Sequence, residues 1–76
     1  MERGILPLGC VRSGQDVVVV GLEGNLRGRL AELGFLENKS LRVLQNVGGL
    51  VMVALGSERL ALDREVAMDI LVRVIT

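Results

Sequence analysis

Val17-Val18-Val19-Val20-Gly21-Leu22-Glu23-Gly24-Asn25-Leu26-Arg27-Gly28-Arg29-Leu30-Ala31-Glu32-Leu33-Gly34 reads as a strand, a turn, a short helix and a stop. Four consecutive β-branched residues favour an extended chain. Because Val17 and Val19 point to one face and Val18 and Val20 to the other, both faces of this strand need cover. Gly21 and Gly24 let the chain turn. Asn25 is placed to cap a helix, its side-chain oxygen accepting an orphan backbone N–H, and Leu22, Leu26, Leu30 and Leu33 then recur along one helical stripe. Glu23 and Arg27 stand four apart and Arg29 and Glu32 three apart, spacings at which opposite charges can pair on a helix surface. Gly34 stands where a helix ends in a left-handed residue, a geometry that folds Phe35 back against Leu30 and into the core.

Working outward, the segment from Ile5 to Gly14 mixes apolar residues with Pro7, Gly9 and Gly14, as an extended lead-in would, with Leu6, Leu8 and Val11 as its anchors. After the polar turn Glu37-Asn38-Lys39-Ser40, Leu41 to Val47 alternates as a half-buried strand with Leu41, Val43 and Val47 on one face. Gly48-Gly49 links it to Leu50 to Leu55, and Gly56-Ser57 links that to Glu58 to Leu62. Two-residue links of this kind make tight hairpins, so the three strands form an antiparallel meander. Asp63 is placed to cap a short helical turn through Met68, with Glu65 in its first turn where negative charge is favoured. Ile70, Val72 and Val74 alternate in a last strand. The expected architecture is mainly β: a small, partly open barrel of five strands, with one short α-helix after the first strand and a helical turn before the last.

Seventy-six residues are expected to form a single domain, 1–76, with an economical core. The chain has no histidine, one cysteine and one aromatic residue, Phe35. Transition-metal and zinc sites draw several His or Cys residues together, so no metal site and no cofactor are expected. The carboxylates stand beside turns, caps and basic residues and read as caps and solvated faces. Cys10 reads as a small packing residue, since no histidine exists to activate it, and Ser13, Ser40 and Ser57 lie in turns. No catalytic residue is assigned, and the chain is not read as an enzyme. A single cysteine suits a reducing compartment. The longest apolar run, Leu50 to Leu55, has six residues, against roughly 20 for a membrane-spanning helix, and no signal peptide is recognisable. A cytoplasmic location is expected. Nine basic and nine acidic residues cancel, leaving no broad positive field for nucleic acid or anionic lipid. Eight of the nine basic residues are arginine, the type suited to carboxylate pairing at protein interfaces.

Leu8 and Gly14, Val17 to Val20, Gly21 and Gly24, Arg29-Leu30-Ala31-Glu32-Leu33-Gly34-Phe35, Val51 and Val53, Gly56, Leu60-Ala61-Leu62, Glu65-Val66-Ala67 and Ile70-Leu71-Val72 come in an order that resembles the FeoA family. These are small SH3-like domains associated with bacterial ferrous-iron uptake. The resemblance spans nearly the whole chain, with Asn38-Lys39 where the family commonly has Pro-Gly, Gly48-Gly49 and Ser13 where it has proline, and Asp63 where it has arginine. It implies an SH3-like barrel acting as a cytoplasmic accessory or adaptor protein. The implied partner is the cytoplasmic GTP-binding region of a FeoB-like ferrous-iron transporter, which it would bind and modulate without catalysis of its own.

The partner-binding face is expected at Leu22, Glu23, Leu26 and Arg27, with Gly28 allowing close approach, together with Arg59. Arg27 and Arg59 occupy no evident packing position, whereas Leu22 and Leu26 compete for a place in the core. Two alternatives come from other classes. One is a KOW-type barrel binding nucleic acid, disfavoured by the lack of exposed aromatics and of excess positive charge. The other is the C-terminal SH3-like domain of a metal-dependent repressor, against which stands the start at Met1 with no helix-turn-helix ahead of it. Weak homo-oligomerisation through an uncovered strand edge is open.

Overall fold

The computed structural model describes residues 4–75, so the expected 1–76 boundary reaches past the described residues at both ends. The elements in chain order are β1 (Leu6–Pro7), a 3-10 turn (Leu8–Cys10), β2 (Asp16–Leu22), α1 (Arg27–Leu33), β3 (Ser40–Val47), β4 (Leu50–Leu55), β5 (Glu58–Asp63), α2 (Arg64–Ala67) and β6 (Ile70–Val74). All pairings are antiparallel, in one open sheet of order β1-β6-β2-β3-β4-β5. The sheet has six strands rather than the expected five, because the lead-in adds β1, with Leu6 opposite Val72 and Pro7 opposite Leu71. A proline is tolerated there because β1 is an edge strand with one side free of ladder bonds.

One face of the sheet supplies the core. Val17 and Val19 of β2, Leu41 and Val43 of β3, Val51, Val53 and Leu55 of β4, and Ile70 and Val72 of β6 are buried together with Leu8, Val11, Leu30, Phe35, Leu62 and Ala67. Val18 and Val20, on the other face of β2, are half-buried, so the valine run is covered on both sides.

β3 departs from simple alternation. Its register against β4 shifts between Val43 and Gln45, which makes Leu44 an extra residue and reverses the parity of the remainder of the strand. Val47, expected on the core face, is instead 69% exposed. Asn46 turns toward the lead-in. Its side-chain amide donates to the carbonyls of Gly9 at 2.9 Å and Val11 at 2.7 Å, and its Oδ1 accepts from the Arg64 guanidinium. Its backbone N–H donates to Ser13 Oγ at 3.1 Å. One side chain thus laces the lead-in and α2 to β3.

α1 begins at Arg27, with Leu26 at the capping position and no side-chain cap, so Asn25 does not cap it as expected. Its other end obeys the sequence rule. Gly34 takes φ +112°, its N–H donates to the Ala31 carbonyl at 3.0 Å, and the Phe35 N–H donates to the Leu30 carbonyl at 3.1 Å. This double closure is the Schellman ending, and it drives Phe35 into the core beside Leu30. Of the leucine stripe only Leu30 is fully buried; Leu22 packs on the core margin, while Leu26 and Leu33 are 40% and 45% exposed.

Three smaller expectations also change. Asp63 holds the capping position of α2 without a side-chain bond, while the Arg64 N–H donates to the Gly49 carbonyl. Cys10 is exposed rather than packed. Among the described residues neither Glu23–Arg27 nor Arg29–Glu32 forms an ion pair, and Glu23 lies outside the helix.

Candidate partner-binding surface

The connection from β2 to α1 is held rather than free. The Glu23 N–H donates to the Asp69 carbonyl at 2.8 Å, which fixes the end of β2 on the start of β6. Gly24 then turns with φ +84°, and a Cβ at this position would lie 2.8 Å from Asp69 Cγ. The left-handed backbone favours glycine, and a Cβ would in addition make the Asp69 carboxylate turn aside. Gly24→Ala is expected to cost about 1–3 kcal/mol, read as a lower urea midpoint at unchanged slope. A midpoint equal to that of the parent would show that the turn relaxes freely.

Beyond this pivot Glu23, Leu26, Arg27 and Gly28 are all exposed, and nothing lies within 4 Å of where a Gly28 Cβ would sit. Leu26 and Leu33 are two turns apart and share a helix face. They leave an apolar rim around the single buried residue of α1, Leu30, and Leu36, just past the Gly34 ending, is 55% exposed as well. The structure therefore groups four of the six expected partner-binding residues on one exposed segment. Leu22 belongs to the margin of the core. Arg59 stands apart on β5, with β3 and β4 between it and β2 in the sheet. Leu33, placed by the sequence pattern on the leucine stripe, and Leu36, which that pattern does not single out, are both surface residues. The readable signal is length, since a helix of seven residues offers few positions that can reach a core.

Elsewhere an open cleft of about 570 Å³ is lined by Asp16, Asn38, Lys39, Ser40, Arg42 and Ala54 among others. Arg42 grips Asp16 there through two bonds, Nε to Oδ1 at 2.7 Å and Nη2 to Oδ2 at 3.1 Å. The hydrogen bond and charge of Asp16 hold the Arg42 guanidinium above its ordinary pKa, so the guanidinium stays charged. Both residues are solvent-accessible, which keeps the pair's contribution to stability small. Among the described residues no three His, Cys, Asp or Glu side chains come together to hold a metal ion. Among them, too, no helix is long and apolar enough to cross a membrane.

Six antiparallel strands in an open sheet with two short helices define a mainly β, SH3-like domain. The FeoA domain model matches residues 6–74, and the chain belongs to the FeoA domain family. The crystal structure of an iron uptake regulatory protein (FeoA) superposes with TM-score 0.86 at 25% identity, covering 95% of this chain and 99% of that one. The NMR structure of a FeoA-like protein from Clostridium acetobutylicum gives 0.86 at 24% identity, covering 100% of this chain and 92% of that one. A manganese-dependent transcriptional repressor shares the fold with TM-score 0.85 at 22% identity; 99% of this chain corresponds to 44% of that one. No curated protein matches the sequence significantly. Membership in the family places the chain among small accessory domains of iron transport.

Proposed function

We propose that this chain is a cytoplasmic accessory protein of bacterial ferrous-iron uptake. It binds the cytoplasmic GTP-binding region of a FeoB-like transporter and modulates it, with no catalysis of its own. The observation that carries this reading is the exposed pair Leu26 and Leu33 beside a pinned glycine turn, with Leu36 exposed just past the end of α1. An apolar patch of this kind gains by being covered, and the adjacent Glu23 and Arg27 offer charges that fix orientation. Family membership supplies the iron-transport setting. Of the expected face, Glu23, Leu26, Arg27 and Gly28 are retained and Leu33 and Leu36 are added, while Leu22 is left out because it packs at the margin of the core and Arg59 because it lies on β5.

Titrating isotope-labelled protein with the soluble GTP-binding region of such a transporter is expected to shift the amides of residues 21–28 and those near Leu33 and Leu36. Leu26→Glu places a charge on the patch without entering the core, and is expected to weaken binding by about tenfold or more while leaving the fold intact. Spectra that stay unchanged at high partner concentration would remove the proposal.

A further inference from the structure

β5 ends the sheet on one side, and among the described residues nothing pairs with its outer edge. The ladder determines which backbone groups face that edge. Leu55 pairs with Glu58 across the two-residue turn, and at the far end the Arg64 N–H reaches the Gly49 carbonyl. Glu58, Leu60 and Leu62 therefore direct their N–H and C=O groups to β4, while Arg59, Ala61 and Asp63 direct theirs outward. All three of the latter are exposed. The strand runs in regular register over Glu58–Asp63, with no bulge and no proline to protect the edge.

This edge is complementary to itself. When two β5 strands run antiparallel about Ala61, the outward residues of one copy meet the outward residues of the other: Ala61 faces Ala61, and Arg59 faces Asp63 twice. Within one chain these two charges sit four residues apart, about 13 Å along a strand, too far to pair with each other. Among the described residues Arg59 has no ion-pair partner and Asp63 makes no cap bond. Ala61 meets its copy at the two-fold axis as a hydrogen-bonded pair, and its methyl side chain puts no steric bar between the strands. Centring the pair on Arg59 or on Asp63 would instead set like charges face to face, and centring it on Leu60 or Leu62 would leave both charges without an opposite partner, so only the register about Ala61 pairs Arg59 with Asp63. We propose that two copies of this chain associate through antiparallel β5 edges about Ala61, joining their sheets into one. The contact is short, which makes the association weak and concentration-dependent. It is independent of docking to the transporter through α1.

Sedimentation equilibrium of the purified protein over a series reaching millimolar concentration is expected to show a monomer–dimer equilibrium, with the amides of Arg59, Ala61 and Asp63 shifting as dimer forms. Ala61→Pro removes an N–H that the monomer ladder does not use, and is expected to abolish association without unfolding the chain. Arg59→Asp is expected to weaken it by about tenfold, and the double reversal Arg59→Asp with Asp63→Arg to restore it. A monomer at every concentration overturns the proposal. So does association that survives Ala61→Pro, a double reversal that fails to restore it, or shifts confined to α1. Shifts of the β5 amides only on addition of the transporter's soluble region would assign the edge to that partner instead, and would equally overturn self-pairing.

Discussion

Phe35→Ala is expected to remove about 3–5 kcal/mol of stability, from a chain whose whole folding free energy, at 76 residues, is on the order of 4–11 kcal/mol. Phe35 is the largest fully buried side chain and the only aromatic residue in the protein. The remaining core is built from Val, Leu, Ile and Ala, none of which has the volume to refill the gap, so a cavity persists. The same substitution also loosens the end of α1, because the Leu30–Phe35 closure loses its apolar partner. Urea denaturation of the variant should show a transition beginning at or near zero denaturant. Leu33→Ala, on the exposed rim, serves as the comparison and should fall within about 1 kcal/mol of the parent. A Phe35→Ala midpoint close to that of Leu33→Ala would mean that the ring is not the keystone of this core.

Asn46→Leu is expected to cost about 2–4 kcal/mol despite conserving volume. It strips the donor from two carbonyls, those of Gly9 and Val11, and the acceptor from the Arg64 guanidinium. That guanidinium already carries a buried Nε without a partner, so losing Oδ1 leaves more of a half-buried charge unsatisfied. Amide exchange at residues 8–11 should accelerate beyond the change in global stability, because the lead-in is released first. Adding Arg64→Met removes the stranded charge and should recover part of the loss, a non-additive result that a double-mutant cycle would read directly. Strict additivity would show that Asn46 and Arg64 act separately.

Much of this fold is legible where a rule operates within a few residues. The valine run gives β2, the paired links Gly48-Gly49 and Gly56-Ser57 give the meander, and Gly34 ends α1 because left-handed backbone at that point favours glycine. What escapes depends on partners distant in sequence. Leu6 and Pro7 are too few to show a period and become β1 only because β6 offers an edge. The extra residue at Leu44 leaves no local mark, yet it reverses the parity of the strand, exposing Val47 and making Asn46 the tie between lead-in and α2. At the surface, the glycine turn and the charged residues of α1 can be read directly. The exposure of Leu26 and Leu33 cannot, because periodicity reports which residues share a face but not whether the rest of the molecule is large enough to cover it. The lack of an evident packing position groups Arg59 with Arg27, and chain topology separates them.

The pairing of β1 with β6 has one more outcome. Because Leu6 lies across from Val72 and the two strands run in opposite directions, the chain enters and leaves the domain at neighbouring points. A unit with a shared doorway can be hung from another polypeptide, or spliced into one, while the host's path is scarcely diverted. The same architecture can thus serve as a free-standing protein or as a module within a larger one, such as the repressor in which it accounts for 44% of the length.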